Sequence, residues 1–93
     1  MLVYYSLGNR KYWFCSLERL MEITALLSRK SYYLRNMDTL KGTYNGWFIL
    51  DNEYVRTLYE IIEEVSKEVK DETILNDLLA LKEVFEGGDV VFG

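Results

Sequence analysis

The sequence has no histidine and no proline, and Cys15 is its one cysteine. The absence of histidine removes the side chain best suited to proton transfer near neutral pH, which is also the commonest metal ligand. A single cysteine excludes an internal disulfide, gives no zinc-binding set and is typical of a reducing compartment. We therefore expect a non-enzymatic protein without cofactor or metal. We expect it in the cytoplasm, which would be the host cytoplasm if the source is viral.

Other signatures of function are missing as well. No Ser–His or Cys–His pair is available to activate a nucleophile, and no glycine-rich loop precedes a helix to hold phosphate. No stretch approaches the ~20 apolar residues that cross a bilayer. The first charged residue follows the N-terminal apolar run, which is the wrong order for a secretory signal. We expect no membrane partner.

The composition is that of a folded chain. Of the 93 residues, 49% are hydrophobic and 28% are charged, a globular balance. One hydrophobic core usually needs about 50–200 residues, so residues 1–93 are expected to form a single domain.

Charge and aromatic residues are divided unevenly along the chain. Residues 1–50 carry seven Lys or Arg and three Asp or Glu, whereas residues 51–93 carry four and twelve. Ten of the fourteen aromatic residues also lie in residues 1–50. A basic, aromatic, β-rich half followed by an acidic, helical half predicts two surfaces of opposite sign, which bears on partners more than on fold.

The first half predicts a hairpin followed by a helix. Residues 2–7 and 11–15 are apolar and β-prone, and residues 8–10 between them are turn formers. Ser16 suits the N-cap of a helix that continues to about residue 28. The apolar stripe of this helix consists of Leu17, Leu20, Met21, Ile23, Leu26 and Leu27.

The next segment is ambiguous. Residues 29–36 suit either a second short helix or a strand, because their apolar period does not separate the two. Residues 38–42 are typical of a turn, and residues 43–50 of a strand. Gly46 inside that strand indicates a bulge or a close backbone approach.

The second half predicts two helices. A helix is expected from Glu53 to about Val69, with Asp51 or Asn52 as its cap. The next apolar position after Val69 is Ile74, and a straight helix could not bury both stripes on one side. We therefore expect a break near Asp71, where a second helix begins.

The chain end completes the predicted architecture. Gly87 and Gly88 are expected to stop the second helix, and residues 89–92 form a short apolar tail that could add a strand. The fold class is α+β, with a small antiparallel sheet, an N-terminal helix and a C-terminal antiparallel helical hairpin.

Four acidic residues of the hairpin are the first functional candidates. Glu60, Glu64 and Glu68 lie four apart on one helix face, with Glu63 beside them, and such a row costs a little helix stability. Spaced carboxylates can imitate a phosphate backbone. We predict that these residues bind the basic surface of a nucleic-acid-binding protein. The alternative is an ordinary solvated helix face.

The basic half supplies a competing hypothesis. Arg29, Lys30, Arg35 and Asn36 would offer cations to phosphates and polar groups to base edges, with the strand around Trp47 as a wing. This would make the protein a small helix-turn-helix-like regulator with nucleic acid as its partner. The structural alternative is that the aromatic residues fill a small sheet whose solvated edge carries the cations.

Two further expectations concern assembly and type. The first C-terminal helix has an apolar seam of Val55, Leu58, Ile62, Val65 and Val69. With Tyr54, Tyr59 and Ile61 beside it, the apolar surface is wider than one stripe needs, so a homodimer competes with packing inside the chain. The overall profile is short, acidic and tyrosine-rich, and it is similar to that of small accessory proteins of phages and other mobile elements. This resemblance implies an inhibitor that binds a host or defence protein.

Overall fold

The computed structural model describes residues 2–30 and 40–93. Within these ranges it contains five strands and three helices, so the predicted α+β class is confirmed. In chain order they are β1 (Leu2–Ser6), β2 (Tyr12–Cys15), α1 (Leu17–Ser28), β3 (Leu40–Tyr44), β4 (Trp47–Leu50), α2 (Asn52–Ser66), α3 (Glu72–Glu86) and β5 (Val90–Phe92). None of these three helices is long and apolar enough to cross a membrane.

The strands form one antiparallel sheet in the order β2-β1-β5-β4-β3. The last strand of the chain therefore lies at the centre, where Val91 is opposite Tyr5 of β1 on one side and Ile49 of β4 on the other. The expected extra strand at residues 89–92 is confirmed. Among the described residues, β5 provides the only strand pairing that joins the β1–β2 hairpin to the β3–β4 hairpin.

One face of the sheet carries the helices and encloses the core. Trp13, Tyr4, Phe92 and Phe48 form a row of rings across four neighbouring strands, with successive centroids 6.1, 4.5 and 6.5 Å apart. Phe85 of α3 meets the Tyr4 ring edge-on at 5.6 Å. Such aromatic pairs add about 0.5–1.5 kcal/mol each beyond the area they bury. This row fixes the helical layer against the sheet.

The helical hairpin follows the predicted break. The carboxylate of Asp71 accepts hydrogen bonds from the Thr73 hydroxyl at 2.7 Å and from the backbone N–H groups of Thr73 and Ile74. The Thr73 hydroxyl and these two N–H groups lower the pKa of Asp71 below its ordinary value. The Asp51 carboxylate caps α2 by accepting from the Glu53 N–H at 3.2 Å, and Gly87 is the C-cap of α3.

The predicted single strand at residues 43–50 is wrong. The chain reverses at Asn45 and Gly46, whose φ angles are 51° and 83°, so this segment supplies the turn between β3 and β4. Asn-Gly favours such two-residue turns because both positions need positive φ. Gly46 therefore marks a turn, not a bulge. Of the predicted turn at residues 38–42, residues 40–42 belong to β3, and residues 38–39 lie outside the described ranges.

Two helix expectations also need correction. Within the predicted stripe of α1, Ile23 and Leu27 are buried, but Leu17 and Met21 are exposed because they lie on the side turned away from the core. The helix α2 ends at Ser66 and not near Val69. There the Lys67 N–H bonds to the carbonyl of Glu64, three residues back, which tightens and closes the last turn.

A close junction connects the β1–β2 turn to the end of α3. The fully buried Ser6 hydroxyl donates to the Gly88 carbonyl at 2.7 Å and accepts from the Gly8 and Asn9 N–H groups. The Asn9 side chain donates to the Glu83 carbonyl at 2.8 Å, near the C-terminus of α3. A Cβ on Gly8 would fall on the Gly87 carbonyl oxygen, so only glycine fits there. This junction sets where β5 begins.

We predict that Gly8→Ala destabilises the protein by about 1–3 kcal/mol, because the new methyl group meets backbone that cannot move without breaking the Ser6 hydrogen bonds. Gly42→Ala is the matched control, since a Cβ at Gly42 has open space around it. Urea unfolding followed by circular dichroism measures both. Equal midpoints for the two variants would show that the junction is not tight.

Candidate functional site

The described residues offer little chemistry for catalysis. Within residues 2–30 and 40–93, no group of three or more His, Cys, Asp or Glu side chains is placed to hold a metal ion. Cys15 is buried, and this burial and the nearby Asp77 carboxylate raise the pKa of its thiol. Burial likewise raises the pKa of Tyr4, with a smaller effect from Tyr54. Both groups are thereby kept neutral, which is the opposite of what a nucleophile needs.

The four acidic candidates all project from the exposed side of α2 and the turn after it. Glu63 lies 4.0 Å from the Lys82 ammonium of α3, and Glu68 accepts a hydrogen bond from Lys30 at 2.6 Å. Glu60 and Glu64 make no ion pair with the described residues. The structure thus divides the predicted row into two paired carboxylates and two that have no ion-pair partner in the described part of the chain.

The basic candidates are scattered by the fold. Arg29 and Lys30 follow α1, and the hydrogen bond to Glu68 raises the pKa of Lys30 and holds its ammonium against the acidic row. Trp47 lies in β4, on the face of the sheet opposite the helices. Arg35 and Asn36 lie outside the described residues, as does most of the 29–36 segment, so its predicted helix or strand stays a prediction.

Three of the ion pairs join the basic half of the chain to the acidic half. Lys11 pairs with Glu83 at 3.7 Å, and Lys30 pairs with Glu68. The Arg19 guanidinium contacts Asp77 at 3.1 Å, and the same carboxylate accepts a hydrogen bond from the Trp13 indole at 3.3 Å. The opposite charges of the two halves are therefore used partly within the fold, where they hold the helices to the strands and to one another.

The described residues expose an extended apolar surface on the side of the sheet that faces away from the helices. We call it the open face and define it by the outward side chains of Val3, Tyr5, Leu7, Tyr12, Phe14, Tyr44, Trp47, Ile49 and Val91. Most of these residues line a shallow groove of about 740 Å³. No described element covers the open face.

Strand register arranges the open face in two rows. Tyr12, Tyr5, Val91 and Ile49 lie side by side across the sheet in one row. Phe14, Val3, Trp47 and Tyr44 occupy the other row. Gly93 pairs with Val3 between them, and a Cβ at Gly93 would come within 2.9 Å of the Trp47 ring. The ring therefore lies close against the backbone of the central strand.

Charge is almost absent from this surface. Among the described residues that line the groove, only Lys41 and Asp89 are charged. Exposed apolar surfaces of this kind usually mark interaction sites, and buried interface cores are enriched in Tyr and Trp and depleted in charge. The open face was not predicted from the sequence, because recognising it requires the order of the strands in the sheet. Part of the signal was the alternation of Tyr12 and Phe14 with buried Trp13 and Cys15.

No protein-family model matches the chain, and neither a curated protein nor a solved structure shows significant similarity to it. Functional interpretation therefore depends on the geometry of the chain's own residues.

The two tryptophans allow a direct test of the open face. Trp13 is 5% exposed and Trp47 is 36% exposed. We predict that iodide quenches the fluorescence of dilute protein only in part, and that Trp47→Phe removes most of this quenching because it leaves the buried indole alone. A Trp47→Phe protein that iodide quenches as strongly as the wild type would mean that Trp13 is the accessible indole.

Proposed function

We propose that the protein is a non-enzymatic binding protein, of the accessory or inhibitor type found in phages and other mobile elements. In this proposal its acidic helical hairpin, α2 and α3, occupies a basic surface of a nucleic-acid-binding protein. The observation that carries the proposal is the pair Glu60 and Glu64, which project from α2 one helical turn apart and have no ion-pair partner among the described residues.

The position of this pair supports recognition by charge. Both carboxylates lie on the side of α2 opposite its buried residues Val55, Leu58 and Ile62, so a partner can approach them without moving the core. Carboxylates four residues apart on a helix repel each other weakly in the free protein. A cationic partner would relieve this repulsion, and the resulting attraction would speed association.

The nucleic-acid alternative has one observation in its favour. Aromatic rings of Tyr5, Tyr12, Phe14, Tyr44 and Trp47 all lie on the open face, and single-stranded nucleic acids bind sheets through such rings. A positively charged groove must accompany them, however, and Lys41 is the only cation among the described residues that line this groove. Lys11 and Lys30 are paired with glutamates of the helices. The geometry therefore favours a protein partner.

We predict that Glu60→Lys with Glu64→Lys abolishes binding of a basic protein partner while thermal stability stays unchanged, because both side chains are exposed and make no ion pair with the described residues. The partner is first identified by affinity capture from the source or host cell, and its affinity for each variant is then measured by calorimetry with purified proteins. We expect the charge reversal to lower the affinity for the partner at least about tenfold, which corresponds to 1.4 kcal/mol.

Glu18→Lys with Glu86→Lys is the matched control, since it changes the net charge equally at exposed positions outside α2 that make no ion pair with the described residues. Equal weakening by the two double variants would indicate general electrostatics and contradict a site on α2. A captured partner that binds the reversed variant as well as the wild type would contradict the proposal altogether.

For the alternative, we predict no binding of mixed-sequence single-stranded DNA or RNA at about 50 mM salt, where phosphate contacts are strongest. Fluorescence anisotropy with labelled oligonucleotides measures this. Binding that weakens steeply at about 200 mM salt and falls further in Arg29→Ala with Lys30→Ala would establish the regulator hypothesis in place of the inhibitor.

A further inference from the structure

We infer that the open face is a self-association surface, on which a second copy of this chain docks face to face to form a four-layer dimer with helices outside and sheets inside. The inference concerns a different surface from Glu60 and Glu64 and does not depend on the partner proposed for them. It also differs from a dimer through the α2 seam, because Val55, Leu58, Ile62 and Val65 of that seam are buried within the chain.

Charge distribution is the first argument for a second copy. The net charge of the chain is −4, and the unpaired carboxylates of α2 lie on the helical side, away from the open face. Face-to-face docking places the two acidic layers on opposite outer surfaces. With sheets about 10 Å apart and helices about 10 Å in diameter, the two layers are separated by more than a Debye length of about 8 Å. Like charges therefore do not oppose this dimer.

Self-complementarity is the second argument. The face consists of aromatic and aliphatic side chains, and the two charged groups among its described lining residues, Lys41 and Asp89, have opposite signs. A neutral apolar surface is matched by another copy of itself, and two antiparallel sheets commonly pack with their apolar faces together. A distinct partner would need to supply the same neutral, aromatic surface that the second copy already provides.

Surface area sets the expected strength. At strand spacings of about 4.8 Å and rises of about 3.3 Å per residue, the five strands cover about 24 Å by about 15 Å. Two such faces, roughened by aromatic rings, bury on the order of 1,000 Å², near the lower limit for specific interfaces. We therefore expect a reversible dimer with a dissociation constant in the micromolar range.

The test uses two neighbouring residues of β3. Tyr44 points outward on the open face and Thr43 points to the helical side, and both are exposed. Tyr44→Glu and Thr43→Glu thus add the same charge to the same strand on opposite sides of the sheet. Sedimentation equilibrium of the full chain from about 1 to 200 μM, a range chosen to bracket a micromolar constant, measures dimerisation.

We expect the wild type and Thr43→Glu to dimerise with similar constants, and Tyr44→Glu to weaken the dimer at least about tenfold, or 1.4 kcal/mol. Tyr12→Glu, at the opposite edge strand, should act like Tyr44→Glu and guards against misfolding of one variant. The emission of Trp47 should shift to the blue along the same concentration curve, because docking excludes water from its ring.

Three results would overturn the inference. They are a wild type that stays monomeric at the highest concentration, a dimer that survives both Tyr44→Glu and Tyr12→Glu, and a dimer that Thr43→Glu weakens as much as Tyr44→Glu. High salt adds a separate readout, because a dimer formed through apolar surface should persist in it, whereas one held by ion pairs should dissociate.

Discussion

The fold depends on the junction at which the buried Ser6 hydroxyl bonds to the Gly88 carbonyl. The sheet is two hairpins, β1–β2 and β3–β4, and the three-residue strand β5 pairs with both of them. So short a strand has few ladder hydrogen bonds with which to select its own register. The junction supplies that selection, because the Leu7 N–H bonds to the Asp89 carbonyl at 3.0 Å immediately before β5 begins. The end of α3 and the first turn thus determine together where the two hairpins meet.

The uneven charge of the two halves has an explanation inside the molecule. Because the sequence separates its cations from its carboxylates, it suggests that each set binds another molecule. In the structure, Lys11, Arg19 and Lys30 each reach a carboxylate of the second half. Because the half-buried Asp77 also accepts from the Trp13 indole, its contact with Arg19 ties α3 to both α1 and β2. Among the described residues, Glu60 and Glu64 of α2 take no part in these ion pairs.

Local sequence patterns predicted most helices and strands well, but they did not predict how these elements contact one another. The helix caps at Ser16, Asp51 and Asp71 could be predicted because each depends on a few adjacent residues. The turn at Asn45 and Gly46 was equally local and was missed, since the apolar residues on either side suggested one continuous strand. The central place of β5 and the pairing of Lys30 with Glu68 depend on contacts distant in sequence, 38 residues apart for the ion pair. Neither the hydrophobic periodicity nor a short sequence motif indicates such long-range contacts.

The open face follows from the placement of the described helices. A sheet has two faces, and the three described helices all pack around Tyr4 on one side. In an antiparallel sheet with one solvated face, polar residues on that face normally alternate along each strand with apolar residues that face the core. Here the outward positions are instead occupied by residues such as Tyr5, Tyr12, Trp47 and Val91. Polar residues at these positions would preserve the hydrogen-bond ladder equally well, so the demands of folding alone do not account for their apolar character.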